Sequence, residues 1–404
     1  MLVCTQACGG TQRVREEPRR GVSRAVSEAS LRASVLALSR EVESIRGLRF
    51  VRPVQTRVDR AQDTRAHFET EGQTANERLD ALLAVGLGLT RTELHRDHDA
   101  FARMMASEAQ GYYDPHEAVL VLSDDDATRL QELGPRGTDA RATVVHELVH
   151  ALQHQHYRAR VEVDEDAPAM DDRADTRLAL LEGDATLVAL EWAARQQGRR
   201  LLGTEDLEPR IARWLERAMV LTEHDVEPYL LDALELPYHA GVRAVAQMQA
   251  RGGWDAVNRA LADSALSSGA LMHADREQSV WQSVSAQPVS DPALRVLTER
   301  TLGEIELRLL VSQVVRDERA GVIAGVWRGD RVTLQGTEGE GALVLRWVIA
   351  CESPEGARGL VAALEPMVAR WRRQGCPRMR GAREGLCPVS IVATEATVRV
   401  SRGE

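Results

Sequence analysis

Residues 146–150 read HELVH, and this pentapeptide constrains the fold more than any other feature because its chemistry works only on a helix. Positions i and i+4 of a helix lie above one another, so His146 and His150 can aim both imidazoles at one ion. Glu147 stands about 100° further round and reaches a water on that ion rather than the ion itself. The flanks support a helix: Thr138-Asp139 offers an N-cap, and Ala142, Val145, Leu148, Val149 and Leu152 recur at three- and four-residue steps. That pattern predicts one apolar, buried face. Two buried imidazoles without partners would be costly. The spacing therefore reads as a site for one catalytic zinc, in preference to a core helix whose histidines are satisfied by hydrogen bonds.

A catalytic zinc keeps three protein ligands and one open position for water, so a third ligand is required, and two candidates compete. His156 is the tenth residue after His146, the place of the last histidine in the HExxHxxGxxH pattern of the metzincins. Gln153 stands where that pattern needs glycine. A residue without tolerance for φ > 0 tends to continue the helix and carry His156 away from the ion. The rival is Glu182, in LALLEGDATLVALEW, a carboxylate on the apolar side of a second amphipathic helix, costly there unless a cation neutralises it. The adjacent Gly183 lets another helix come close. With Glu182 as ligand, His154 and His156 are polar residues at the end of the zinc helix or partners that orient a ligand. With His156 as ligand, Glu182 is a solvated residue at a helix edge.

The 404-residue chain is longer than single cores usually grow, and only 4% of it is aromatic. Small aliphatic side chains in that proportion favour packed helices over a sandwich of strands. The expected fold class is mainly α with a small β-sheet (α+β). Residues 1–26 read as a leader remnant or linker, 27–300 as the domain that carries the site, and 301–404 as a small α/β module of ββαβ order. Within the second of these, Tyr112-Tyr113-Asp114-Pro115 reads as a turn and Ala118–Leu122 as a short strand, either a substrate-lining edge or a plain hairpin strand.

With a net charge of −10 and no long block of Lys or Arg, nucleic acid is not an expected partner. No apolar run is long enough to span a bilayer, so no transmembrane helix is expected. Cys376 and Cys387 bracket a short loop at a spacing compatible with a disulfide, which leans toward an oxidising, extracytoplasmic compartment. Cys351 falls in an alternating apolar pattern and reads as a buried thiol. The opening MLVCTQACGG resembles a bacterial lipoprotein processing site, which implies a membrane tether through a lipidated Cys8; an ordinary disordered terminus is the alternative.

HELVH followed by LLEGDA resembles the gluzincin zinc peptidases, the group of thermolysin and the aminopeptidases, in which a second helix carries the glutamate ligand. Here Glu182 lies 32 residues after His150, a longer connection than thermolysin-like enzymes have, and the acidic RARVEVDEDAPAMDDRADT reads as the inserted excursion. LPYHAGVRAVAQMQ is similar to the Y-x-x-G helix of the aminopeptidase branch, with Tyr238 and Gly241 on its fixed letters. HALQ-x-Q, EGDAT and PY-x-x-G together resemble an uncharacterised set of bacterial envelope proteins that carry HExxH. The resemblance implies a zincin-like metallopeptidase acting on a peptide or protein. Zinc would be held by His146, His150 and Glu182, with Glu147 as general base and the Tyr238 hydroxyl stabilising the oxyanion. A catalytically retired protein of the same fold that binds peptides or an envelope partner is the alternative. His239 and His273 are further polar candidates without an assigned role.

Overall fold

The computed structural model describes residues 27–60, 74–89, 111–162, 167–218, 228–263, 265–273, 276, 281–315, 317–337, 341–377 and 387–403. Cys8 and the rest of the expected leader lie outside the described residues. The helices are α1 (Glu28–Arg46), α2 (Ala75–Gly86), α3 (Asp124–Arg129), α4 (Pro135–His156), α5 (Arg158–Val161), α6 (Asp172–Gln196), α7 (Leu207–Ala218), α8 (Pro228–Ala262), α9 (Ser268–Met272), α10 (Gly303–Ser312), α11 (Asp317–Ala324) and α12 (Pro354–Gln374). The strands are β1 (Gln55–Asp59), β2 (Gly111–Asp114), β3 (Val119–Ser123), β4 (Arg295–Arg300), β5 (Trp327–Gly336), β6 (Leu343–Cys351), β7 (Val389–Thr394) and β8 (Thr397–Arg402). The protein is mainly helical with two small sheets, the α+β class that the composition predicts.

The helix that carries HELVH begins earlier than its sequence suggests. Thr138-Asp139 is not the cap: Gly134 takes that position at φ 90° and Pro135 is the first helical residue. Proline suits that place because its missing N–H has no intrahelical acceptor there. From Ala142 to His154 the helix is buried at almost every position, so it is a core helix on more than the one face that apolar spacing foretells. α6 is the wall beside it. Ala185, Val188, Ala189 and Trp192 of α6 join Val145, Leu148 and Val149 of α4 and Leu31, Val35, Leu38 and Val42 of α1 in one apolar cluster. Leu180, Leu181 and Leu187 of α6 belong instead to a second cluster with Val242 and Val245 of α8, Leu307 of α10, and Val332 and Trp347 of the larger sheet. One helix thus seals two cores, and Glu182 lies on it between them.

α6 and α8 approach through glycines. A Cβ built on Gly241 would overlap the Ala179 carbonyl, and one on Gly183 would overlap the Gly241 backbone. α8 kinks at Gly252–Gly253, where φ reaches 63°, and this turns the segment carrying Trp254 and Asn258 toward α1.

The three-stranded sheet has the order β1-β3-β2, with β1 parallel and β2 antiparallel to β3. Two expectations are corrected here. The Ala118–Leu122 strand is not the edge: β3 is the central strand and β2 is the edge that faces the HELVH helix. Tyr112, Tyr113 and Asp114, expected in a turn, form that edge strand, because the Asp114 side chain accepts the His116 and Glu117 N–H groups at 2.8 and 3.1 Å and starts the turn later.

The larger sheet has the antiparallel order β4-β5-β6-β8-β7, with α12 packed on β6, β7 and β8. The order around α12 is ββαββ rather than ββαβ. The segment expected as one final strand is a tight hairpin, turned at Glu395 with φ 51°, a left-handed conformation that glutamate rarely signals. β4 ends at Arg300 yet pairs with β5, and the apolar cluster runs unbroken from Leu82 to Val400, so packing is continuous across residue 300. Cys376 and Cys387 are disulfide-bonded, their Cα atoms 4.6 Å apart. Cys351 is buried, and burial pushes its thiol up to about 11. No described helix is long and apolar enough to cross a membrane.

Candidate metal centre

His146, His150 and Glu182 converge. Their ligand atoms all lie within 4.8 Å of one another, the group among the described residues able to hold a metal ion. Glu182 Oε2 is 3.0 Å from His146 Nε2 and 3.5 Å from His150 Nε2. A tetrahedron around an ion with zinc-like bonds of about 2.0–2.1 Å has edges of roughly 3.3 Å, which the two carboxylate–imidazole separations match. The donor set of two imidazoles and one carboxylate suits a borderline-soft divalent ion. His150 Nε2, Glu182 Oε1 and Glu147 Oε1 are buried polar atoms without hydrogen-bond partners. Such groups are rare because each forfeits its hydration for nothing, and three of them in one place fit a site built for a ligand.

The electrostatics agree. All four side chains, Glu147 included, are 0% exposed. Burial alone would raise the Glu182 carboxyl, but the His150 and His146 rings reverse the sign and hold it down at about 2. Burial would lower His150, and the Glu182 carboxylate raises it instead. Glu147 is pushed up to about 7, chiefly by burial, with the two rings pulling it down and Glu182 pushing it up. Its Oε2 accepts the Tyr113 N–H of the edge strand at 2.9 Å, so β2 and the HELVH helix are tied through the acid itself.

The competing third ligand is set aside by geometry. α4 runs straight on through Gln153, and His156 is exposed at the helix end, its Nε2 2.8 Å from the Arg49 carbonyl. His154 is buried away from the group as well: its Nδ1 meets the Tyr113 hydroxyl at 2.8 Å and its Nε2 meets Glu162 at 2.9 Å. Beside it opens a cavity of about 470 Å³ lined by Arg52, His116, His154, Arg158 and Glu162 among others. Tyr238 is 6% exposed on α8, in the apolar cluster shared with α6. His273 pairs with Glu304 at 2.7 Å, apart from the metal group.

Sequence reasoning missed the supports. Gln153 Oε1 meets His150 Nδ1 at 2.9 Å. Gln153 Nε2 donates to the Leu181 carbonyl at 2.9 Å and to Asp184 Oδ2 at 3.0 Å. Arg46 donates from Nε to Asp184 Oδ1 at 2.7 Å, with both side chains 1% exposed. Gln153 lies one turn from His150 and Asp184 two residues from Glu182, a local signal in the sequence. Arg46 is 138 residues from its partner, and nothing near it in the chain announces the contact.

No family model, curated protein or solved structure matches the chain. The fold and the site define its class: a mainly helical α+β protein with a buried His–His–Glu group, borne on two adjacent core helices, that could hold a metal ion.

Proposed function

We propose that this protein is a zinc-dependent hydrolase that cleaves peptide bonds. The observation that carries the reading is the unpaired, buried Oε1 of Glu147, the neighbour of His146 in sequence and of the His–His–Glu group in space. A bound zinc would supply Lewis acidity, lowering the pKa of a water and polarising the scissile carbonyl. Glu147 takes a proton from the attacking water as its oxygen bonds to the carbonyl carbon. It returns that proton to the nitrogen as the C–N bond breaks. The Tyr113 N–H on Oε2 fixes which carboxylate oxygen does this work. Tyr238, through the resemblance of PYHAG to the Y-x-x-G helix, is assigned the hydrogen bond to the developing oxyanion. The disulfide between Cys376 and Cys387 supports an extracytoplasmic setting, with Cys8 as the tether.

The test is the full-length protein loaded with zinc and assayed on a mixed peptide library. Glu147→Gln is expected to keep about one equivalent of zinc and lose turnover by a factor of about 10³ or more, since general-base catalysis contributes roughly 10²–10⁴-fold. A variant that keeps most of its turnover removes Glu147 as the base. The complete burial of the four side chains favours a second reading, a retired site that binds zinc without turning over. Stoichiometric zinc in the wild-type protein with no cleavage of any library member would decide for it.

A further inference from the structure

Gln153 follows His150 by three residues on α4 and is 2% exposed. Its amide has one orientation that satisfies its neighbours. The Leu181 carbonyl oxygen accepts a hydrogen bond from one end of it, and Asp184 lies at that same end. Asp184 meets the donor-only guanidinium of Arg46 with its other oxygen. The amide NH2 therefore faces α6, and Oε1 faces His150 Nδ1 at 2.9 Å. An amide oxygen only accepts, so Nδ1 carries a proton, and in the neutral ring that a cation requires Nε2 then keeps its lone pair. Nε2 is the atom turned toward Glu182, 3.5 Å from Oε2 and without a hydrogen-bond partner. Arg46 is anchored in turn, donating to Asn258 Oδ1 at 2.8 Å and lying 4.4 Å over the Trp254 ring.

We propose that Gln153 is a positioning residue for the metal centre, whose amide oxygen, oriented by Asp184 and Arg46, locks His150 in the Nδ1–H tautomer and presents Nε2 to the cation. The inference rests on the metal-binding part of the reading above and not on peptide cleavage. A flipped amide would offer N–H to Nδ1, move the ring proton to Nε2 and remove that ligand. The network prevents the flip, because it would set the amide oxygen against the Leu181 carbonyl and the Asp184 carboxylate. Gln153 thus does what glycine, lacking a side chain, could not: it joins α4 to α6 at the depth of the site.

The experiment measures zinc affinity of the full chain by competition with a chromophoric chelator. Long-range 1H–15N correlation of the imidazoles reads the His150 tautomer, and thermal unfolding of the zinc-free proteins serves as the control. Zinc-loaded wild-type protein is expected to show His150 protonated at Nδ1. Gln153→Met, which keeps the length and loses every hydrogen bond, is expected to weaken zinc binding about 10–100-fold. Gln153→Glu keeps the acceptor toward Nδ1 but sets its second oxygen against the Leu181 carbonyl and Asp184, so it is expected to melt lower than wild type and yet bind zinc more tightly than Gln153→Met. A role for Gln153 as a mere link between helices predicts the opposite order. Equal affinity of wild type and Gln153→Met, the reversed order, or a zinc-loaded wild type with His150 protonated at Nε2 overturns the proposal. Wild-type protein that takes up no zinc overturns the metal-binding reading itself. Where a variant does not fold, the zinc-free wild-type protein decides: a neutral His150 protonated at Nδ1 there supports the proposal and one protonated at Nε2 overturns it.

Discussion

Glu182 concentrates the physics of the site in one side chain. A carboxylate with no exposed surface would ordinarily neutralise itself by taking a proton, yet the two rings beside it hold it down at about 2. The arrangement stores negative charge where a cation could use it. Glu182→Gln removes that charge while keeping the shape, so zinc affinity should fall by more than about 100-fold, beyond the roughly 10–100-fold typical of a partner one layer out. His156→Ala should leave zinc affinity unchanged, because His156 bonds the Arg49 carbonyl at the helix end. Dialysis of both variants against zinc, followed by metal analysis, checks the pair. The reverse result, zinc retained by the first variant and lost by the second, would hand the third position to His156.

Between elements, the decisive contact is α6 against α8. Gly183 follows Glu182 directly and lies on the backbone of Gly241, which in turn lies on the Ala179 carbonyl. Alanine at either position has no room without parting the helices, and overpacking of this kind costs about 1–3 kcal/mol. Gly241→Ala should therefore lower the midpoint of urea unfolding, and Gly183→Ala should also weaken zinc binding, because it displaces the turn of α6 that carries Glu182. A Gly183→Ala protein of wild-type stability would mean that the helices are not held at this distance. Such contacts mark what could be read from the chain and what could not. HELVH was legible because its geometry is local to one turn, and Glu182 because its apolar flanks made a lone carboxylate conspicuous. β2 reads as a turn in the sequence because Tyr112-Tyr113-Asp114-Pro115 carries turn chemistry, and only its pairing with Leu120 and Val121 across the hairpin makes it a strand. Glu395 hid the β7–β8 turn because its positive φ has no glycine or asparagine to announce it. Arg46 was invisible because its partner is brought to it only when α1 docks on α6.

At the scale of the whole molecule, the helical part and the larger sheet meet over a set of buried acids. Asp172 and Asp175 lie in the first turn of α6, Glu304 and Glu306 in the first turn of α10, and Asp330 on β5. Asp330 is satisfied by four donors: the Leu302 and Gly303 N–H groups at 3.0 and 2.9 Å and the indoles of Trp327 and Trp347 at 2.9 and 2.8 Å. Asp175 Oδ2 and Glu304 Oε2 have no hydrogen-bond partner. Burial pushes Asp172 up to about 6 and Glu306 up to about 7, and burial and then Glu306 push Asp175 well above its usual range. A carboxyl whose pKa is raised by folding holds its proton in the native state while the unfolded chain has released it. Stability from Asp172 and Glu306 is therefore greatest below their unfolded values near 4 and falls as pH rises through their folded values of about 6 and about 7, and Asp175 acts in the same direction. A tenfold change in proton affinity corresponds to about 1.4 kcal/mol, enough for one such acid to bend the profile measurably. Glu182 runs the other way, contributing above its unfolded value and losing that contribution as pH falls toward about 2, so it does not mask a decline between pH 4 and 7. In zinc-free protein, the melting temperature should therefore drop from pH 5 to pH 8. Glu306→Gln imitates the protonated acid beside the Tyr229 hydroxyl, 3.4 Å away, so it should melt higher than wild type at pH 8 and show a shallower decline. Melting curves of the two proteins at matched ionic strength test this, and parallel profiles would mean that the meeting of α6, α10 and β5 does not titrate.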